Sequence, residues 1–109
     1  MDQRLELQAR LESICEHVYY QPPSSVSMKY PCIRYSMKEP EDIYADNGRY
    51  LTVQKYLAIV IDRDPDSRIP KQVLAAFRYS RMGTPYTADN LNHFPITIKD
   101  IHREDVNHE

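Results

Sequence analysis

The stretch Tyr50–Asp62, YLTVQKYLAIVID, contains the strongest strand pattern in the sequence and decides the predicted fold. Apolar residues alternate along it, and from Leu57 onward both faces are apolar. This pattern is typical of a central strand that is covered on each side. Lys55 interrupts one of the two faces, so we expect the first part of the strand to be half exposed. The stretch therefore predicts the middle of a sheet.

Weaker patterns on both sides of this strand predict the remaining elements. An amphipathic helix is expected over residues 3–17 and a second helix over 68–77, each with apolar residues at helical spacing. Strands are expected over 30–37 and 94–98, with short extended pieces at 18–20 and 78–82 and a charged break at 38–42.

The order of these elements predicts an α+β fold, namely a mainly antiparallel sheet of about four strands with two helices packed on one face. The 109 residues suffice for a single α+β domain, which we assign to residues 1–99. The nearly all-polar residues 100–109 are expected to form a C-terminal tail.

The composition excludes several classes of function. With 14 Lys and Arg against 16 Asp and Glu, the formal net charge of −2 gives no general attraction to nucleic acid. No apolar segment approaches the ~20 residues needed to cross a bilayer, and the N-terminus lacks the apolar core of a signal peptide. We therefore expect no membrane partner and production in the cytoplasm, where Cys15 and Cys32 would be small buried apolar residues. The two glycines are too few for a phosphate-binding loop.

The tripeptide Ala-Asp-Asn occurs twice, each time shortly after a tyrosine and before a predicted strand. Asp and Asn side chains hydrogen-bond to nearby backbone, and Asn tolerates positive φ, so such pairs build defined turns. We expect Asp46 with Asn47, and Asp89 with Asn90, to form two similar turns at the edge of the sheet.

The acidic segment Asp62-x-Asp64-x-Asp66 resembles the opening of a calcium loop, but the glycine and the bidentate glutamate of such a loop are missing. We expect it to form a turn in which Asp66 or Ser67 caps the next helix. The four histidines lack the spacing of a zinc site.

Asp89, Asn92 and His93 lie close together, but no activated nucleophile accompanies them, and we expect a structural turn. The sequence thus predicts no enzyme activity, no cofactor and no bound metal.

Four quoted segments together resemble a known family: YPCIxY at 30–35, ADN at 45–47, VIDxDPDSxI at 60–69 and YxADNLNH at 86–93. They resemble small virion proteins from the head–tail gene block of long-tailed bacteriophages, the tail terminator or tail-completion proteins. The resemblance covers about three quarters of the chain, and the last two segments are its most specific parts.

The resemblance implies a structural role in the virion. Proteins of this kind form a ring, usually a hexamer, on the head-proximal end of the tail tube. The expected partners are other copies of the chain, the tail tube protein and neck or connector proteins, with genomic DNA only passing through the channel. Independently of the resemblance, a ring needs two complementary patches on each subunit, and the tyrosine-rich strand suggests Tyr50 and Tyr56 as interface anchors.

Two alternatives remain open from the sequence alone. Another head–tail connector, such as a stopper at the same junction, is an alternative of the same class. A small magnesium-dependent enzyme, such as a nuclease using Asp62, Asp64 and Asp89, is an alternative of a different class.

Overall fold

The computed structural model describes residues 3–45 and 48–101. The elements, in chain order, are α1 (Gln3–Ile14), β1 (Val18–Tyr20), β2 (Cys32–Ala45), β3 (Gly48–Asp62), α2 (Ile69–Ala76), β4 (Ser80–Met82), β5 (Tyr86–Ala88) and β6 (Leu91–Ile101). The predicted α+β class is confirmed.

The described part of the chain forms one six-stranded mixed sheet rather than the predicted sheet of about four strands. The strand order is β1-β2-β3-β6-β4, and β5 also pairs with β6, on the same outer edge as β4. Strands β2, β3 and β6 are antiparallel neighbours, whereas β1 runs parallel to β2. As predicted, Tyr50–Asp62 lies in the middle of the sheet, because β3 has a long partner on each edge.

Several predicted boundaries are wrong. The charged segment 38–42 does not end β2, since pairing with β3 continues beyond a register shift between Lys38 and Glu41 that accommodates Pro40. The first helix ends at Ile14 rather than at residue 17, because the chain then enters β1. Strand β6 continues to Ile101, two residues into the segment predicted as a tail, and residues 102–109 lie outside the described part.

Both helices contribute to one core on one face of the sheet, as predicted. Alternation along β3 points Tyr56, Ala58 and Val60 toward the helices, and all three are buried. The same core contains side chains of both helices and of the neighbouring strands, namely Leu7, Leu11, Val73, Phe77, Ile33, Tyr35, Ile96 and Ile98. The opposite face of the sheet receives no helix within the described residues.

A polar contact fixes α1 on this core. The Tyr35 hydroxyl is buried with its ring, donates to Gln8 Oε1 and accepts a hydrogen bond from Arg4 Nη1 at 3.2 Å. The Arg4 guanidinium also lies 4.4 Å from the centroid of the Tyr20 ring. Burial raises the pKa of the Tyr35 hydroxyl, so it remains a neutral donor. The inward-facing polar groups of α1 are thus satisfied within the domain.

Candidate oligomerisation surface

The most prominent surface feature is the far half of the β2–β3 hairpin. Strand β6 accompanies β3 only as far as the pair Val53 and Ile101, and β1 accompanies β2 only from Ile33 to Tyr35. Within the described residues, the hairpin beyond these points therefore pairs only with itself. Isolated two-stranded ribbons are marginally stable, and their open edges are available for pairing with another chain. We call this part of the hairpin, residues 39–45 and 48–52, the projecting ribbon.

Exposed apolar side chains lie on and beside the projecting ribbon. Tyr44 is 67% exposed on the ribbon itself, and Met37 is 47% exposed just before it. The predicted anchor Tyr56 is instead 3% exposed, because its side chain points toward the helices and packs against Tyr35. The anchor role assigned to Tyr56 is therefore corrected, and the side chain of Tyr50 lies outside the described part of the structure.

Both Ala-Asp-Asn segments lie at two-residue connections of hairpins. Ala88 of β5 pairs with Leu91 of β6, and the residues between them, Asp89 and Asn90, have φ values of 54° and 62°. Two consecutive left-handed residues are the requirement of a type I′ hairpin turn. Ala45 pairs with Gly48 in the same way, so the first copy also connects paired strands, although Asp46 and Asn47 themselves lie outside the described residues.

The acidic segment after β3 forms successive side-chain turns. The Asp62 carboxylate accepts the Asp64 N–H at 3.1 Å, and the Asp64 carboxylate accepts the Asp66 N–H at 2.9 Å. Such Asx turns satisfy backbone donors locally. The predicted cap by Asp66 or Ser67 is wrong, because the N-cap residue of α2 is Arg68 and no side chain caps it. The Ser67 hydroxyl, one residue earlier, accepts the Ile69 N–H at 3.3 Å. The structure assigns these carboxylates to the geometry of the loop.

Asn92 and His93 join the second hairpin turn to this acidic loop. The Asn92 amide donates to the carbonyl oxygens of Asp62 and Arg63, at 3.3 and 3.1 Å. The His93 ring stacks on Tyr86 with a centroid distance of 4.7 Å and an angle of 14°. These contacts bring the two most distinctive sequence segments, 60–69 and 86–93, together at one end of the sheet. Among the described residues, no group of three His, Cys, Asp or Glu side chains is arranged to hold a metal.

The helix-free side of the sheet is strongly basic. We call it the bare face: Arg34, Ser36, Lys38, Lys55, Leu57, Ile59, Arg81, Pro95, Thr97 and Lys99, which alternate with the core-facing residues. Lys38 lies directly opposite Lys55, and Lys55 lies directly opposite Lys99, so three lysines form one row across three strands. Like charges at directly opposed positions destabilise a sheet.

A single acidic side chain reaches the lysine row. Glu41 Oε1 lies 4.0 Å from Lys55 Nζ and 3.8 Å from Lys99 Nζ. Lys38, Arg34 and Arg81 make no ion pair with any described residue. The half-buried Leu57, Ile59 and Pro95 lie in the middle of this basic surface. The bare face thus combines an apolar centre with a cationic surround.

The two cysteines are buried and not joined by a disulfide. Burial raises the pKa of Cys32 to about 12 and also raises the pKa of Cys15. Since the thiolate is the nucleophile, both groups are inert at neutral pH. They serve as small apolar residues of the interior, in line with the expectation from the sequence.

The bare face and the projecting ribbon were not predicted, although a signal for each is visible in the sequence. Lys55 interrupts an apolar face of the central strand, but only the register shows that Lys38 and Lys99 flank it. The ribbon was missed because the charges at 38–42 resemble a loop.

No protein-family model matches the chain, and no curated protein matches it. A solved protein structure of similar length has the same fold with a TM-score of 0.53 at 19% sequence identity, over 94% of this chain and 97% of the other. This likeness concerns the fold alone. None of the described helices has the length and apolar character needed to span a membrane.

Proposed function

We propose that the chain is a phage virion protein, a tail terminator that assembles as a homo-oligomeric ring, a hexamer, on the head-proximal end of the tail tube. The ring stops further addition of tube protein and offers a surface to the neck proteins. The resemblance of segments 30–35, 45–47, 60–69 and 86–93 supports this assignment. The contact of Asn92 with the backbone of Asp62 and Arg63 joins the two most specific of these segments.

The observation that carries the proposal is the projecting ribbon. Strands of 14 and 15 residues far exceed the usual length of about 5–6 residues, and their outer half has no neighbour within the described domain. Such an arm extends open strand edges beyond the domain, where they can pair with another subunit or with the tube. Tyr44 on the arm and Met37 just before it are exposed and provide apolar contact groups.

The mass of the purified protein in solution and negative-stain images provide the first test. We expect a closed ring of about six subunits, and a stable monomer that hydrolyses nucleic acid with magnesium would refute the proposal. A phage that lacks the gene separates the two connector roles. Overlong tails would establish a terminator, whereas normal tails beside leaking heads would establish a stopper.

A further inference from the structure

We propose that the outer face of α1 of one copy of this chain docks on the bare face of the next copy. The inference deepens the ring assembly proposed above and rests on it. It names the two different surfaces that a head-to-tail interface requires on every subunit.

The charge of the bare face indicates an anionic occupant. It carries five cationic groups, and Glu41 is the one described carboxylate that pairs with them. The whole chain nevertheless has a formal net charge of −2, so the rest of its surface has an excess of acidic groups. A second copy therefore brings its own complementary surface.

The outer face of α1 has the required chemistry. Its exposed residues are Leu5, Glu6, Ala9, Glu12, Ser13 and, just after the helix, Glu16, together with Arg10 at the edge of this face, one turn from Glu6. Leu5 is 47% exposed and Ala9 lies one turn further, so apolar side chains lie among carboxylates. This matches the bare face, where apolar side chains lie among cations.

Both arginines of α1 contact their own domain, although Arg10 remains exposed. Arg4 contacts Tyr20 and donates to the Tyr35 hydroxyl. Arg10 donates to the Ala76 carbonyl oxygen at 3.3 Å, and its guanidinium lies 5.4 Å from the Phe77 ring centroid. The outer side of α1 thus carries three carboxylates, those of Glu6, Glu12 and Glu16, against the one exposed cation of Arg10.

The two surfaces also match in layering, and α1 is long enough to cover the bare face. The 12 residues of α1 are ~18 Å long. The bare face extends ~13 Å along the strands, from the row of Arg34 to that of Lys38, because the preceding row with Cys32 and Ile61 is buried. A sheet with helices on only one side leaves a face uncovered, and a helix from the next subunit completes its second layer.

Charge reversal separates assembly from folding. Arg34→Glu with Lys38→Glu removes no described ion pair and places a carboxylate opposite Lys55, so we expect the subunit to unfold at an equal or higher temperature. Glu12→Lys with Glu16→Lys removes two exposed contacts, the Gln8–Glu12 hydrogen bond and the approach of Glu16 to His17, but adds cations near the C-terminal end of α1, which the helix dipole favours.

We expect each pair of substitutions to raise the subunit dissociation constant at least tenfold, as measured by sedimentation across a dilution series. The four substitutions combined in one chain should restore assembly, because the charges are complementary again. Lys71→Glu with Arg78→Glu, on and just after α2, makes the same change in net charge as Arg34→Glu with Lys38→Glu and should leave assembly unchanged.

The experiments distinguish the ways in which the docking and the proposed function could be wrong. If the wild type assembles and the reversals do not weaken it, or the combined variant does not recover, the docking is refuted while the ring proposal stands. If the wild type remains monomeric both in dilution series and with purified tail tubes, the proposed function fails as well. If the wild type binds duplex DNA, and Arg34→Glu with Lys38→Glu abolishes this binding without changing the mass, the bare face is a phosphate-binding surface and the docking is refuted.

Discussion

The hairpin turn between β5 and β6 allows a prediction in which two substitutions at the same position act in opposite directions. Asp89 and Asn90 have φ values of 54° and 62°, and among the described residues neither side chain makes a hydrogen bond. The expectation from the sequence that local side-chain bonds hold this turn is therefore replaced by a backbone argument. Asp and Asn occur here because they tolerate the left-handed conformation better than other residues with a side chain.

The magnitude follows from the backbone. An L-residue such as alanine loses ~1–2 kcal/mol in the left-handed region, whereas glycine adopts it without steric cost. We expect Asp89→Ala with Asn90→Ala to destabilise the protein, and Asp89→Gly with Asn90→Gly to be neutral or stabilising. The two double variants should differ by ~2–4 kcal/mol in the free energy of unfolding. For a domain of this size that is a difference of roughly 8–16 °C in Tm.

Urea unfolding followed by circular dichroism measures the difference, and amide exchange at Ala88 and Leu91, the pair that flanks the turn, reports whether the hairpin opens locally. Within this design the glycine variant is the control, because it also removes both polar side chains. Equal urea midpoints together with equal amide protection in the alanine and glycine variants would contradict the backbone argument. A free energy of unfolding below that of the wild type in both variants would show instead that the side chains themselves stabilise the turn.

Three further outcomes follow from named contacts. Tyr35→Phe should cost ~0.5–1.5 kcal/mol in urea unfolding, because the half-buried Arg4 and Gln8 lose their hydrogen bonds to the hydroxyl; an unchanged midpoint would contradict this. Asn92→Asp should destabilise more than Asn92→Ala in thermal melts, because a carboxylate would face the two carbonyl oxygens that the amide now contacts. The raised pKa of Cys32 means that its contribution to stability is complete below its ordinary pKa of 9.0 and is lost as pH rises toward about 12, so Cys32→Ala should make unfolding less sensitive to pH in this window.

The central strand shows how far the sequence pattern extends. The alternation in residues 50–62 predicted the middle of the sheet, and β3 lies between two long partners. The same pattern could not reveal register, because pairing depends on residues distant in the chain. The charged segment at 38–42 was assigned to a loop, since charge usually marks solvent exposure. In the structure it is an exposed strand, which the long pairing with β3 and a register shift at Pro40 make possible.

The Ala-Asp-Asn repeats show that composition predicts turns better than it predicts short strands. Their composition predicted two turns before two strands, and both connect paired strands at the same offset. The sequence did not predict strand β5, because a strand of three residues is too short to show a periodic pattern.

The bare face depends even more on tertiary structure. No local pattern places Lys38, Lys55 and Lys99 in one row, because they come from three strands. An isolated domain gains nothing from directly opposed lysines, and one glutamate compensates two of them only in part. A sheet face that lowers the stability of the isolated subunit is explained if the acidic face of α1 from another copy covers it in the assembly. If Arg34→Glu with Lys38→Glu raises the unfolding temperature of the subunit and also weakens assembly, the repulsion between the lysines is a cost to the subunit that assembly offsets.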